Sequence, residues 1–143
     1  MNKNVVVLAS DHSGLELKKS LIKYLKSLDF EVCDVGPYEY KQDDDYPDFV
    51  EMGNKEVLNK NCIGVYICAS GIGVSMAANR VKGIRAVNAS IEEHAYLARL
   101  HEDANVICFG QKFIAEEDAI KIFNAFINTD FEGGRHLRRI SKY

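Results

Sequence analysis

A cysteine stands between an apolar run and a glycine-rich turn in the segment YICASGIGVSMAANR, residues 66–80. The apolar run is typical of a buried strand, and the glycines allow the backbone to approach a bound molecule closely. A helix after such a turn directs unpaired N–H groups at a carboxylate, a phosphate or a developing oxyanion, and it favours the thiolate form of a neighbouring cysteine. Two interpretations of Cys68 remain open: the last core residue of a strand, or a reactive group at an anion site.

The pair of glycines at positions 71 and 73 is weak evidence for a dinucleotide site. The pair follows the third predicted strand rather than the first, and Met76 stands where a third glycine or alanine is expected. A P-loop is excluded because no Gly-Lys-Ser/Thr follows. No two cysteines have C-x-x-C spacing, and no Cys/His group has the local spacing of a zinc site. We therefore expect neither a nucleotide cofactor nor a metal.

Charged residues near both ends of the chain could act together with this turn. Asp11 and His12 directly follow the first predicted strand, where capping of the next helix is the structural alternative. The tail is basic and contains Arg135, His136, Arg138, Arg139 and Lys142. On a helix Arg135 and Arg139 share one face, so both could bind one phosphate, whereas a solvated last helix is the alternative.

Apolar runs of strand length alternate with segments of helical periodicity. The predicted strands are 4–10, 30–35, 62–68, 84–89 and 105–110; the predicted helices are 13–28 with Ser13 as N-cap, 48–59, 75–81, 91–102 and 116–128, with a loop over 38–47. This alternation predicts an α/β fold in which parallel strands are joined by right-handed crossovers and covered on both faces by helices. Ligands of such sheets lie beyond the carboxyl ends of the strands, and His101, at the end of a helix, does not reach that position within its own chain.

Length and composition limit the class of protein. The chain of 143 residues fits a single domain, 1–143, in which residues 133–143 form a basic C-terminal helix or tail. A formal net charge of -3 argues against nucleic acid or an anionic membrane as a partner. No apolar stretch is long enough for a signal peptide or a membrane span, and most of the cysteines stand in apolar runs. We therefore expect reduced thiols and a cytoplasmic location.

Five segments together resemble the type B ribose-5-phosphate isomerases, in the sugar-phosphate isomerase group that also includes galactose-6-phosphate isomerase subunits. The segments are ASDHSG, DYPDF, ICASGIGVSMAANRVKGIRA, ARLHEDANVICFG and FEGGRHLRR, which extend over nearly the whole chain. The resemblance implies a Rossmann-like three-layer α/β/α sandwich with a five-stranded parallel sheet. It also implies metal-independent interconversion of ribose 5-phosphate and ribulose 5-phosphate through a cis-enediolate, in the non-oxidative pentose phosphate pathway. The implied assembly is a homodimer or a tetramer with active sites shared between subunits.

The resemblance also implies roles for individual residues. Cys68 is similar to the base that moves a proton between C2 and C1, and Ser70 to the residue that handles protons on the sugar oxygens. Asp11 and His101 resemble the ring-opening pair, with His101 acting in the partner's site. The implied binding residues are His12, Arg135 and Arg139 for the phosphate, Tyr46 for the sugar, the N–H groups of Gly71, Ile72, Gly73, Val74 and Ser75 for the enediolate, and Ala69 and Glu102 beside them.

Three departures from the family pattern affect the predicted substrate more than the predicted reaction. Ala69 replaces a common glycine, Glu102 stands where asparagine is frequent, and Lys112 replaces a frequent arginine. A six-carbon substrate such as allose 6-phosphate or galactose 6-phosphate therefore remains an alternative. A non-catalytic phosphosugar- or nucleotide-binding module is disfavoured because the chemical groups are all present, and a redox role for Cys68 because no resolving cysteine is near in sequence.

Overall fold

A single parallel sheet organises the computed structural model, which describes residues 1–143. Its strands are β1 (Asn2–Ser10), β2 (Glu31–Asp34), β3 (Cys62–Cys68), β4 (Ala86–Asn88) and β5 (Val106–Gly110). A short 3-10 helix (His12–Gly14) precedes α1 (Leu15–Ser27), and the other helices are α2 (Tyr46–Lys60), α3 (Ile72–Ala78), α4 (Glu92–Glu102), α5 (Glu116–Ile127) and α6 (Arg135–Ile140). The strand order is β2-β1-β3-β5-β4, and every neighbouring pair is parallel. The predicted α/β fold is confirmed.

Helices cover both faces of the sheet. Val6 and Leu8 of β1 pack in the cluster formed with α1, α4 and α5, whereas Val5 and Val7 pack in the cluster formed with α2 and α3. Successive side chains of a strand point to opposite faces, so a strand buried on both faces is an almost uninterrupted apolar run. The three layers confirm the predicted α/β/α sandwich. None of the helices has the length and apolarity needed to cross a membrane.

Three local predictions are wrong. Ser13 does not cap the first helical segment; Asp11 does, because its Oδ1 accepts hydrogen bonds from the N–H groups of Ser13 at 2.9 Å and Gly14 at 3.1 Å. The third helix begins at Ile72 and ends at Ala78, rather than covering 75–81, because Gly71 adopts a left-handed conformation and starts the helix at once. The predicted loop over 38–47 ends early because α2 begins at Tyr46, with its proline in the first turn, where proline is tolerated.

Because all five strands run in the same direction, the sheet has one edge where the strands start and another where they end. The carboxyl ends of all five strands lie at one edge, called here the carboxyl edge, and the strand starts lie at the opposite amino edge. Helix α4 begins after β4 and returns to the start of β5, so His101 near its end lies at the amino edge. The segment after α5 also lies there, since the N–H of Glu132 donates to the carbonyl of Leu100 at 2.9 Å.

A buried ammonium connects α1 to the segment between β2 and α2. Lys18 is 1% exposed, and its Nζ donates to Asp34 Oδ1 at 2.6 Å and to the carbonyl of Pro37 at 2.7 Å. A charge buried in this way is tolerated only when it is paired and hydrogen-bonded. The two bonds therefore fix the start of the segment that leads to Tyr46.

We expect Lys18→Met to lower the free energy of unfolding by about 2 kcal/mol, because Asp34 and the Pro37 carbonyl lose their donor. Lys19→Met is the matched control, since Lys19 is exposed and pairs only with Glu16 at 3.1 Å. The control is expected to change stability by less than about 0.5 kcal/mol. Urea unfolding measures the free energy of unfolding of both variants. Equal values for Lys18→Met and Lys19→Met would show that the hydrogen bonds of Lys18 do not stabilise the protein.

Candidate active site

The turn after β3 brings the Cys68 thiol against the backbone of Gly71. Cys68 is 4% exposed and packs in the core cluster, while its Sγ accepts a hydrogen bond from the Gly71 N–H at 3.2 Å. Gly71 has φ +78°, and a Cβ there would lie 2.4 Å from Asn88 Oδ1, so only glycine fits. Cys68 is thus a core residue whose sulfur also faces a hydrogen-bond donor, and the two interpretations from the sequence are compatible.

The five backbone N–H groups proposed to bind the enediolate are not equivalent. Three of them are used within the turn: Gly71 donates to Cys68 Sγ at 3.2 Å, Ile72 to Ser70 Oγ at 3.3 Å, and Ser75 to the carbonyl of Gly71 at 3.3 Å. The N–H groups of Gly73 and Val74 donate to no protein acceptor. Gly73 is half-buried and Val74 is 0% exposed, so the Gly73 N–H is the more accessible of these two donors to an oxyanion.

The ring of Tyr46 lies directly against this turn. A Cβ built on Gly73 would lie 2.6 Å from Tyr46 Cζ, so the absence of a side chain at position 73 lets the ring approach the backbone. Tyr46 begins α2 and is half-buried, packed against the core on the same face as Cys68. The residue predicted to line a sugar site therefore lies beside the two unpaired N–H groups.

Asp11 directly follows the carboxyl end of β1, and its two carboxylate oxygens have different hydrogen-bond partners. Its Oδ1 caps the 3-10 helix, whereas Oδ2 accepts no hydrogen bond from the protein. Asp11 is only 7% exposed. Its backbone N–H donates to the carbonyl of Ile67, in the neighbouring β3, at 3.3 Å. The structural role considered from sequence is thus correct for one oxygen, and the other is available to a ligand.

His12 is held by a carboxylate that the sequence did not single out. Asp44 Oδ1 lies 2.7 Å from His12 Nδ1 and accepts the backbone N–H of His12 at 2.9 Å. The side-chain hydrogen bond with Asp44 is the main cause that raises the pKa of His12. Asp44 is one of three consecutive aspartates, 43–45, and no periodicity distinguishes it from its neighbours. His12 therefore keeps its proton to higher pH than an ordinary histidine does, and its Nε2 forms no hydrogen bond within the protein.

The loop after β5 closes the other side of the turn. The N–H of Gln111 donates to the carbonyl of Cys68 at 2.9 Å, and that of Lys112 donates to the carbonyl of Ala69 at 3.1 Å. Lys112 is exposed, so its ammonium is available near the turn. Ala69 does not have a positive φ, so the methyl that replaces the common glycine introduces no backbone strain there. Asn88, also missed from sequence, donates to the carbonyl of Ser70 at 3.3 Å.

The remaining predicted site residues form a second group at the amino edge. The His101 ring stacks on His136 with centroids 4.1 Å apart and an interplanar angle of 4°. Glu102 accepts a hydrogen bond from the hydroxyl of Tyr143 at 2.7 Å. Arg135 and Arg139 are exposed on α6 and form no ion pair. The strand β3 has 7 residues, so the two groups are separated by roughly 20 Å of sheet. One chain alone does not bring them together.

The other three cysteines lie in environments that favour the neutral thiol. Burial raises the pKa of Cys33, raises that of Cys62 to about 11, and raises that of Cys108 well above its usual value. All four cysteines are free. Among them only Cys68 stands at a turn with unpaired backbone donors, which distinguishes it from the three structural thiols.

A family model described as Ribose/Galactose Isomerase matches residues 6–143. The chain belongs to this family. A probable ribose-5-phosphate isomerase B of Mycoplasma genitalium is 46% identical over 139 residues, which cover 96% of this chain and 91% of the relative. The ribose-5-phosphate isomerase B of Mycolicibacterium paratuberculosis is 37% identical over 137 residues, covering 94% and 86%. The resemblance found in the sequence is confirmed.

Solved structures of ribose/galactose isomerase family members share the fold over its whole extent. The Mycoplasma genitalium ribose-5-phosphate isomerase B with bound ribulose-5-phosphate superposes with a TM-score of 0.92 and 44% identity, covering 96% of this chain and 92% of that one. The enzyme from Anaplasma phagocytophilum gives a TM-score of 0.94 at 44% identity, covering 99% and 97%. The Rossmann-like sandwich implied by the resemblance is therefore confirmed.

In this family member we expect Asp44→Asn to lower the pKa of His12, because an amide cannot stabilise the imidazolium as a carboxylate does. Since the pKa of His12 is raised in the folded protein, its charge persists to higher pH than that of an ordinary histidine, and the variant loses the charge earlier as pH rises. NMR titration of the imidazole protons measures this. Asp43→Asn, an exposed neighbour, is the control; an unchanged His12 titration in Asp44→Asn would contradict the assignment.

Proposed function

We propose that this ribose/galactose isomerase family member interconverts ribose 5-phosphate and ribulose 5-phosphate without a metal ion. The main supporting observation is the Cys68 turn, where a thiol, two unpaired N–H groups and the Tyr46 ring lie together. Relatives named ribose-5-phosphate isomerase B, one of them with bound ribulose-5-phosphate, support the five-carbon substrate. Backbone donors can stabilise an enediolate electrostatically, so the reaction needs no Lewis acid.

The proposed proton transfer uses three parts of the turn. The Cys68 thiolate removes the proton from C2 of the open-chain aldose; a double bond forms between C1 and C2, and negative charge develops on O1. The N–H groups of Gly73 and Val74 stabilise this charge, and each such donor contributes about 10²–10³-fold in comparable sites. Ser70 moves the proton from O2 to O1, and the Cys68 thiol returns its proton to C1, which yields the ketose and regenerates the thiolate.

Ring opening and phosphate binding require residues from both edges of the sheet. Asp11, through Oδ2, and His101 form the proposed acid–base pair that opens the furanose ring. His12, Arg135 and Arg139 bind the phosphate, whose binding energy positions the reacting end of the sugar. His101 and both arginines lie at the amino edge of their own chain. A complete site therefore requires the amino edge of a second copy, and we propose a homodimer with shared active sites, either alone or within a tetramer.

The departures at positions 69 and 102 are compatible with this substrate. Ala69 introduces no positive φ, and the Glu102 carboxylate is occupied by the hydroxyl of Tyr143. That hydrogen bond uses one of the two carboxylate oxygens of Glu102. We propose a cytoplasmic location, which four free cysteines favour, and a place in the non-oxidative pentose phosphate pathway.

Cys68→Ala is expected to lower kcat on ribose 5-phosphate by about 10²-fold or more, because the general base is lost. Ketose formation is followed in the presence of EDTA, and Cys33→Ala is the control because this half-buried cysteine lies outside the turn. Full activity of Cys68→Ala would exclude Cys68 as the base. Turnover of allose 6-phosphate or galactose 6-phosphate but not ribose 5-phosphate would assign a six-carbon substrate, and loss of activity in EDTA would refute the metal-free reaction.

Mixing Cys68→Ala with His101→Ala is expected to restore activity if sites are shared. After random exchange half of the dimers are mixed, and each mixed dimer has one site with both native residues, so roughly a quarter of wild-type activity returns. The measurement is the assay before and after subunit exchange, with exchange verified by native mass spectrometry of a tagged variant. Verified exchange without recovered activity would show that each chain uses its own His101.

A further inference from the structure

A buried ring nitrogen without a partner marks the amino edge of the sheet. His136 is 5% exposed, and its Nε2 forms no hydrogen bond, although Glu132 Oε2 lies 3.1 Å away. The same carboxylate oxygen lies 3.9 Å from His101 Nε2. A buried polar atom left unpaired is costly, so an unpaired nitrogen close to a carboxylate, on a ring stacked against a second imidazole, calls for an explanation.

We propose that His101, Glu132 and His136 form an inhibitory zinc-binding site, in which Zn²⁺ removes His101 from the acid–base step. Candidate ligand atoms of the three residues all lie within 4.8 Å of one another. The inhibitory part rests on the proposed function, whereas the binding of zinc does not. The metal is an inhibitor at this site and not a cofactor of the reaction.

The donor set suits zinc by its chemistry. Two imidazole nitrogens and one carboxylate oxygen are an established set of three protein ligands for Zn²⁺, with the fourth position left to water. Magnesium and calcium prefer oxygen ligands and are not expected to bind here.

The two stacked rings must change their relative orientation to bind one ion, because the ion has to lie in both ring planes. The lone pair of each Nε2 lies in its ring plane, and the two planes are nearly parallel with centroids 4.1 Å apart. Zinc–nitrogen distances of about 2.0–2.1 Å in a tetrahedral site place the ligand atoms roughly 3.3 Å apart. The side chains of His101 and Glu132 are 32% and 49% exposed, so they can tilt toward the fixed, buried His136. One ring must therefore turn by roughly tens of degrees before both planes contain the ion, and the partly exposed His101 can turn while the buried His136 stays in place.

Charges around the cluster limit its affinity. Arg135 and Arg139 act on His136 as neighbouring cations, whereas Glu132 supplies one compensating negative charge. The other cluster of possible ligands, Asp11, His12 and Asp44, lies at the carboxyl edge. There His12 Nδ1 already bonds to Asp44 at 2.7 Å, so zinc would have to break an existing pair. The amino-edge cluster, with its unpaired nitrogen, is the more favourable of the two.

Calorimetric titration of Zn²⁺ into the full-length, EDTA-treated protein tests the binding. One ion per chain is expected, and Glu132→Gln and His136→Gln each weaken it about tenfold or more, since loss even of outer-shell partners costs 10–100-fold. Glu117→Gln, an exposed acid on α5, and His12→Gln are controls expected to bind as the wild type does. Glu132 is exposed, so its variant remains a valid test even if His136→Gln misfolds. Wild-type affinity in the Glu132 variant would overturn the site.

Co²⁺ substitution identifies the ligands, and the isomerase assay tests the consequence. A tetrahedral visible spectrum without a thiolate charge-transfer band supports the site; a thiolate band would assign the metal to a cysteine and overturn it. Zinc is expected to inhibit the wild type reversibly, with EDTA restoring activity, and to inhibit Glu132→Gln only at about tenfold higher concentration or more. Zinc bound without loss of activity would refute the inhibition. A protein that binds zinc but never isomerises the sugar would refute the proposed function and leave the site intact.

Discussion

Every strand of the sheet runs in the same direction, and this constraint determines which residues can meet. The ends of β1 and β3 are neighbours at the carboxyl edge, so Asp11 lies next to Cys68 without any special loop. Each helix that connects two strands runs back along the sheet, so its last residues lie at the amino edge. Residues at the ends of α4 and α5 are therefore separated from Cys68 by the length of a strand. The topology alone explains why the candidate site is divided between two regions of one chain.

The pairing of backbone N–H groups then distinguishes the candidate reactive turn from the rest of the carboxyl edge. Buried backbone N–H groups are nearly always paired, and the turn after β3 pairs three of its five within itself. One of these three donors binds the Cys68 sulfur, which is how a core residue acquires a polar neighbour. Two donors are left over, at Gly73 and Val74, and the Tyr46 ring lies against Gly73. A ligand with a concentrated negative charge is the natural partner for such a pair.

The sequence predicted the sheet better than the side-chain partners. The strand over 62–68 was predicted with its observed bounds because it is wholly apolar and ends at polar or glycine-rich segments. The start of α3 was missed because one left-handed glycine, and not a polar cap, begins that helix. Asp44 and the stacking of His136 on His101 depend on contacts between segments distant in sequence. Propensity and periodicity describe neighbours along the chain, so they contain no signal for such pairs.

The pKa values of His12 and His136 are shifted in opposite directions because the two rings have different surroundings. His12 Nδ1 bonds to a carboxylate at 2.7 Å, and this hydrogen bond is the main reason for its raised pKa. His136 also has a carboxylate nearby, at 3.1 Å, but without hydrogen-bond geometry, and burial together with neighbouring cations lowers its pKa. His12 therefore keeps its proton to higher pH than an ordinary histidine, whereas His136 loses its proton at lower pH. The immediate partners of each ring, and not the residue type, set this difference.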